Sequence, residues 1–291
     1  MAPGASNNKS GGLRRRGVWA RTCISVCLLV SAPLSFVGCD FPGRPNPNER
    51  PIPADQVVEF GLLYRKNCSG CHGTDGKLGP APPLNDALFR AIIPAAELKH
   101  ILTKGRNGTL MPAFSQENGG TLTATQIEVL VHEIKGIPYM IVPKQNGGRG
   151  EVEVVPDAGG ISPRWGAPVR PPANVPSYNQ AAAIVSRSSA VQQHDGAAVF
   201  VRACAACHGE HGQGIAQGHA MVRTINDQVL LKLNSDQVLR RYAITGRPDL
   251  GMPNFAEPRP GNPHFQALTE QQVTDLVALL ASWRQTTVNG K

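Results

Sequence analysis

Aromatic residues are scarce in this sequence of 291 residues, at 5%, and charged residues make up only 17%. The low charge content excludes a highly charged disordered chain. Glycine and proline are abundant by contrast, with 31 and 25 residues, and they predict small cores and long irregular stretches. The length suits one large domain or two small ones.

Long apolar runs are also absent, and no apolar stretch reaches the length of about 20 residues that a membrane-spanning helix needs. The apolar stretch 24–37 has 14 residues and follows the arginine triplet 14–16, as in a signal peptide. Its end, Ser-Phe-Val-Gly-Cys39, resembles a bacterial lipoprotein signal, in which the cysteine is diacylated and becomes the first residue. We therefore predict a signal peptide over residues 1–38 and lipidation of Cys39. The alternatives are an uncleaved anchor and ordinary cleavage.

This signal bears on both location and charge. It predicts a lipid-anchored protein at the periplasmic face of the bacterial cytoplasmic membrane or in the cell envelope, with residues 39–53 as a proline-rich tether. The formal charge of the whole chain is +8, but five basic residues and no acidic residue lie in the signal, which leaves +3. The basic composition therefore gives no support to nucleic-acid binding.

Four of the seven cysteines form two Cys-x-x-Cys-His segments, Cys68–His72 and Cys204–His208, which anchor an internal repeat. An aromatic residue stands four positions before the first cysteine of each, and the later matches run without a gap at an offset of 141 residues. These matches pair Asn85-Asp86 with Asn226-Asp227, Gly105-Arg106 with Gly246-Arg247, and Met111-Pro112 with Met252-Pro253. Each unit ends in a segment with an apolar stripe at helical spacing and a threonine at its start.

The repeat predicts two small domains, over residues 54–140 and 192–291. Residues 141–191 between them are rich in glycine and proline and predict a linker without regular structure, apart from a short alternation at 151–155. Two interpretations of Trp165 remain: it pins part of the linker to a neighbouring domain, or it is exposed. A tether and a linker of this kind would let the domains move between partners.

Each Cys-x-x-Cys-His segment predicts covalent attachment of one haem. Two thiols three residues apart span one helical turn, so both can add to the vinyl groups of a single haem, and the adjacent histidine can bind its iron. Cys68, Cys71, Cys204 and Cys207 are thus the predicted attachment sites, and His72 and His208 the predicted iron ligands. Zinc would need further ligands at suitable spacing, and a thioredoxin-like motif would need a βαβ context that this sequence lacks.

The predicted sixth ligands are Met111 and Met252, the two methionines at equivalent positions in the repeat. Each is followed by proline, and they stand 39 and 44 residues after their histidines. The alternative role of a methionine is to fill gaps in a core, and we expect that role for Met140 and Met221. The histidines that lack a counterpart in the repeat are expected at the surface or as caps: His100, His132, His194 and His264.

Each unit resembles a class I cytochrome c domain. The resemblance implies an all-α fold of two such domains in tandem, with N- and C-terminal helices crossing beside a largely buried haem c. In that family a proline carbonyl accepts a hydrogen bond from the ligating histidine, and the first unit has a proline-rich segment for this at 80–84. The second unit has Val-Arg-Thr-Ile at 222–225, which leaves the orientation of His208 open.

The expected function is electron transfer, because both axial positions of each iron are filled by the protein. We expect a membrane-tethered dihaem carrier between a quinol-oxidising complex or dehydrogenase and another cytochrome or a terminal oxidase. Three alternatives remain. The chain is a fixed dihaem subunit of an oxidase or dehydrogenase complex, a dihaem peroxidase with one displaceable sixth ligand, or a redox sensor, for which no signalling domain is present.

Overall fold

The computed structural model describes residues 52–147, 151–179, 190–217, 220–258 and 265–284. This part of the chain is mainly helical, which agrees with the all-α class expected from the resemblance. The first repeat unit contains the helices α1 (Phe60–Asn67), α2 (Ser69–His72), α3 (Ala87–Ile92), α4 (Ala95–Lys104) and α5 (Ala124–Lys135). The second contains α6 (Ala190–Ala203), α7 (Ala205–His208), α8 (Gln228–Leu233), α9 (Asp236–Thr245) and α10 (Glu270–Trp283).

Short 3-10 helices and strands complete these elements. The 3-10 helices are Ala54–Gln56, Gln116–Asn118 and Pro248–Leu250, and the strands are β1 (Tyr139–Pro143), β2 (Val152–Pro156), β3 (Ile215–Gln217) and β4 (Ala220–Val222). The four strands form two antiparallel pairs, β1 with β2 and β3 with β4. Among the described residues, no helix is long and apolar enough to cross a membrane.

Equivalent helices of the two units begin with the same caps. Asp86 accepts a hydrogen bond from the Phe89 amide at the start of α3, and Asp227 does the same for Leu230 in α8. α5 and α10 each begin with a capping box, formed by a threonine and the glutamine three residues later. The Asn-Asp and Thr-x-x-Gln matches of the repeat therefore mark helix starts.

Each unit has its own hydrophobic core, built mainly from its first, fourth and last helices. In the second unit α6 lies directly against α10. Gly196 permits this approach, because a Cβ atom there would lie 2.2 Å from the carbonyl oxygen of Asp275. The cores are not fully separate, since Leu88 of α3 is buried in the core of the second unit. The two units therefore pack against each other.

Residues 139–178 differ from the irregular linker predicted by the sequence. Tyr139 of β1 pairs with Pro156 of β2, so the predicted domain boundary at residue 140 falls inside a strand. Further along, Trp165 packs edge-on against Phe60 and Tyr64, with ring centroids 5.4 and 5.2 Å apart. The alternation at 151–155 falls on β2, whereas the five residues of β1 carry no such pattern among the neighbouring prolines and glycines. Of the two interpretations of Trp165, the one that pins it to a domain is confirmed.

The same segment, which we call the strap (residues 139–178), also reaches the second unit. Tyr178 is buried in the first core, where its ring lies 5.9 Å from that of Phe89. Its own carbonyl and that of Ser177 accept hydrogen bonds from Gln237 and Arg240 of α9. The strap therefore contacts both units, which the prediction of an irregular linker did not anticipate.

Candidate functional site

The two Cys-x-x-Cys-His segments have the same backbone geometry. Cys68 and Cys204 precede α2 and α7 with φ/ψ angles of −120°/−37° and −119°/−36°. The amides of His72 and His208 each donate to the carbonyl of their first cysteine, at 2.9 Å in both units. A single turn of helix therefore carries both thiols and the histidine in each unit, as thioether attachment to one planar group requires.

A glycine ends each of these turns with a positive φ angle. Gly73 has φ 82°, and a Cβ atom there would lie 1.7 Å from the Lys77 carbonyl oxygen. Gly209, with φ 77°, stands at the same place in the second unit. Glycine is required at Gly73 because the chain turns back at once, and the Ala81 amide then bonds to the Cys71 carbonyl at 2.9 Å.

The two thiols of the first motif differ in environment. Cys68 is buried in the core, while Cys71 is exposed. Burial, reinforced by the neighbouring Cys71, raises the pKa of Cys68 to about 12, so this thiol is protonated at neutral pH. One thioether of the first haem would therefore lie against the core and the other at its edge.

The His72 imidazole is prepared to bind a metal. Its Nδ1 donates to the Pro82 carbonyl at 2.7 Å, so the neutral ring carries its lone pair on Nε2. Burial lowers the pKa of His72 to about 4, although the bond to Pro82 opposes this shift. The ring is therefore neutral at physiological pH and held in one tautomer. The carbonyl expected from the proline-rich segment is present and belongs to Pro82.

His208 is held differently. Burial lowers its pKa, and the backbone of Arg223, the residue equivalent to Pro82, opposes this shift in part. However, the buried Nδ1 forms no hydrogen bond of ordinary geometry with any described residue. The Arg223 carbonyl can favour the charged imidazole electrostatically without forming a hydrogen bond to it. A backbone acceptor lies at the equivalent position in both units, but only His72 is bonded to it.

The loops that carry Met111 and Met252 match in the same way. Each follows the glycine that ends α4 or α9, and in each the arginine amide donates to the methionine carbonyl, at 3.0 Å for Arg106 and 2.9 Å for Arg247. Both methionine side chains are partly buried against the core of their own unit. The first core also contains Cys68, and the second includes Cys204.

These features fit a haem in each unit. An apolar core lies against a thiol and a thioether side chain, and a buried imidazole stands next to the thiols on the chain. The residues that would hold the first haem are Cys68, Cys71, His72 and Met111, and those for the second are Cys204, Cys207, His208 and Met252. Among the described residues, no cluster of three or more His, Cys, Asp and Glu side chains offers an alternative metal site.

Other predicted residues are placed as follows. His100 and His194 are exposed, as expected, but His132 is not, since it is buried with its Nδ1 bonded to the Glu128 carbonyl at 2.9 Å. The apolar strap over α5 explains this burial, because His132 packs against Tyr139 at 5.6 Å between ring centroids. Cys39 and His264 lie outside the described residues.

Sequence reasoning missed a buried arginine between the two units. Arg241 of α9 is 5% exposed, and its guanidinium lies 3.4 Å from the centre of the Phe89 ring. Burial lowers its pKa to about 10, so it remains charged at neutral pH. The equivalent position in the first unit is His100, so the repeat gave no signal for it.

Two known protein families match separate parts of the chain, one in each repeat unit. Residues 57–132 match the family described as cytochrome c oxidase, cbb3-type, subunit III. Residues 193–284 match the family described as cytochrome c. Together the two matches cover more than half of the chain, and each contains one Cys-x-x-Cys-His segment. Among curated proteins, no significant match to the chain is found.

Proposed function

This chain is a c-type cytochrome with two tandem cytochrome c domains and two covalently bound haem c groups, and we propose that it is a membrane-tethered carrier of single electrons. Haem-based electron transfer follows from the domains themselves. The carrier role goes further and rests on one observation, the equivalent placement of Met111 and Met252 against the two cores.

One histidine and one methionine of each domain would hold its iron. His72 and Met111 would hold the first iron, and His208 and Met252 the second. Ligation by histidine and methionine raises the reduction potential of a c-type haem. Bound haem would supply one-electron transfer, while the protein would orient the ligands and keep water, oxygen and peroxide away from the iron.

The proposed partners are redox proteins on the outer side of the cytoplasmic membrane. A quinol-oxidising complex or a dehydrogenase would supply electrons, and another cytochrome or a terminal oxidase would accept them. A lipid on Cys39 would hold the chain at the periplasmic face, with residues 39–53 as a spacer. A Cys39→Ser variant tests the anchor: release from membranes into the soluble fraction supports it, and unchanged membrane retention contradicts it.

A second candidate function is a fixed subunit of an oxidase complex. The match of residues 57–132 to a family of oxidase subunits favours it. The two candidates differ in isolation after mild detergent extraction. A free carrier elutes alone and exchanges electrons with added cytochromes, whereas a subunit co-elutes in fixed proportion with the oxidase that it serves.

Peroxide turnover separates a carrier from a dihaem peroxidase. The wild-type chain should show no peroxide-dependent oxidation of a reduced cytochrome, because neither iron has a displaceable ligand. The Met111→Ala and Met252→Ala variants open one site each and serve as positive controls for access. Rapid turnover by the wild type would contradict the carrier proposal.

A further inference from the structure

The second domain holds the segment of the first domain that follows its haem-binding motif. Residues 78–83 run from just after the motif towards α3. Asp249 accepts a hydrogen bond from the Leu78 amide at 2.8 Å, and Arg247 donates to the Gly79 carbonyl at 3.0 Å. Arg241 donates to the Pro83 carbonyl. We call these three side chains, Arg241, Arg247 and Asp249, the clamp.

The clamp forms hydrogen bonds to this segment on both sides of Pro82, the hydrogen-bond acceptor for His72. Pro82, whose carbonyl accepts from His72 Nδ1 at 2.7 Å, lies between Gly79 and Pro83. Leu78 has a φ angle of 63°, which residues other than glycine rarely adopt. Its amide donates the hydrogen bond to Asp249. The backbone that carries the acceptor is therefore fixed from outside its own domain.

The charges in the clamp do not cancel. Arg247 and Asp249 form a covered ion pair, with 9% and 3% of their side chains exposed and two N–O distances of 2.9 Å. Arg241 lies against Phe89 and forms no ion pair with any described carboxylate. Its Nε lacks a hydrogen-bond partner within the described chain. Arg241 therefore adds a positive charge beside the segment that holds His72, and the buried Asp86 carboxylate lies near enough to favour that charge.

The clamp also reaches the loop of the other predicted ligand. The backbones of Arg247 and Met252 bond to each other in both directions, at 2.9 and 3.0 Å. Hydrogen bonds therefore connect His72 to Pro82, Gly79 to Arg247, and Arg247 to Met252, while the chain itself joins Gly79 to Pro82. A change at one ligand loop can reach the other along this path.

We propose that Arg241, Arg247 and Asp249 are positioning residues for the first haem, so that its site is complete only with the second domain docked against it. The clamp fixes the orientation of His72, and the Arg241 charge raises the reduction potential of the first haem, since a nearby cation disfavours the ferric state. This inference rests on the proposed ligation of iron by His72.

The test is an optical redox titration of full-length protein carrying Met252→His. Replacing methionine with histidine lowers the potential of the second haem and so separates the two waves. In this background, Arg241→Gln should shift only the high wave downwards. A tenfold change in the ratio of oxidised to reduced haem corresponds to about 59 mV for one electron, which is the shift we expect.

The matched control is Arg240→Gln on the same helix. Arg240 is equally buried and charged, but it bonds to Ser177, Thr274 and Glu270 rather than to residues 78–83. It should leave the high wave in place. An equal shift in both variants, or no shift in Arg241→Gln, overturns the proposal. Loss of the high wave already in the Met252→His parent would instead indicate that His72 and Met111 do not ligate the first iron.

Two further variants separate charge from geometry and serve if Arg241→Gln does not fold. Arg241→Lys keeps the charge and loses the planar group over Phe89. The high wave should therefore stay close to its position in the Met252→His parent. Asp249→Asn removes a negative charge from the clamp and should shift the high wave upwards, opposite to Arg241→Gln. Shifts of the same sign in Arg241→Gln and Asp249→Asn, or an unmoved high wave in Asp249→Asn, would rule out the electrostatic role.

Discussion

At the scale of single residues, the two haem sites share their attachment chemistry but not every contact. Cys68 and Cys204 have matching φ and ψ angles, and the amides of His72 and His208 form matching hydrogen bonds. The methionine loops match as well. His72 is bonded to a carbonyl, whereas the equivalent nitrogen of His208 has no partner among the described residues. The chemistry therefore repeats, while the tuning around each iron is separate.

Replacing either proposed methionine ligand should open one iron. Met111→Ala and Met252→Ala should each remove half of the optical band due to methionine–iron bonding and convert one haem to a high-spin form. Met140→Ala is the matched control, because Met140 lies on β1 with 40% of its surface exposed, and not in a core as the sequence predicted. Absorption spectra of the oxidised proteins measure the effect. An intact band in both ligand variants would show that other residues fill the sixth positions.

At the scale of elements, α5 and α10 begin with the same capping box, but the glutamines of the two boxes differ in their further hydrogen bonds. Gln126 is buried, and its amide also donates to the Ala54 and Val57 carbonyls at 2.7 and 2.9 Å. Gln272 is partly exposed and serves its own cap. The first box therefore also fixes the chain that enters its domain.

The matched substitutions Gln126→Ala and Gln272→Ala should differ in their cost. Loss of a cap contact costs about 1 kcal/mol, and Gln126→Ala loses two further hydrogen bonds of about 1 kcal/mol each. We expect Gln126→Ala to lower the free energy of unfolding by about 2 kcal/mol more than Gln272→Ala. Denaturant unfolding of the haem-loaded protein, followed by circular dichroism, measures both. Equal losses would show that the contacts to Ala54 and Val57 contribute no net stability.

A tryptophan fills the same place in each domain, although it comes from different elements. Trp165 of the strap packs on Tyr64, and Trp283 at the end of α10 packs on Phe200, with ring centroids 5.2 Å apart in both pairs. Each also lies close to the glycine five residues after the second cysteine, Gly76 or Gly212. The strap therefore supplies the tryptophan of the first domain, as the last helix supplies that of the second.

It follows that Trp165→Ala should destabilise the first domain, although the residue lies outside the repeat. Truncation of a fully buried tryptophan costs about 3 to 5 kcal/mol, and we expect about 2 to 3 kcal/mol for this half-buried one. Trp283→Ala should cost a similar amount in the second domain. Chemical unfolding followed by haem absorbance measures both. A Trp165→Ala protein as stable as the wild type would show that the strap contributes no stability to the first core.

At the scale of the whole molecule, two small domains share one interface. Leu88 and the clamp join the domains directly, and Ser177 and Tyr178 join them through the strap. Each domain is small, and a bound haem would add apolar surface to its core. Folding and haem attachment are therefore expected to be linked.

A chain without haem should lose most of its helices. Replacing the four motif cysteines with alanine prevents attachment, and we expect far-ultraviolet circular dichroism to show much less helix than the haem-loaded chain. The Met111→Ala protein, which retains both haems, is the control. Native helicity in the four-alanine variant would contradict this dependence.

The sequence allowed prediction of what the repeat encodes locally, and little of what joins the repeats. The haem motifs, methionine loops and helix caps depend on spacing within one unit, so they could be recognised from the chain alone. The Pro82 acceptor followed from the family resemblance. By contrast, Arg241, Tyr178 and the hairpin of β1 and β2 depend on contacts between segments distant in sequence. No periodic pattern marks such contacts, and the many glycines and prolines suggested an irregular linker instead.

Both haems are expected to be low-spin and six-coordinate. An optical redox titration of the wild-type chain measures this, with the methionine–iron band and the haem α band followed together. We expect two one-electron waves at high potential, with the methionine–iron band present on both haems in the oxidised protein. A high-spin haem, or a wave at low potential in the wild-type protein, would contradict it.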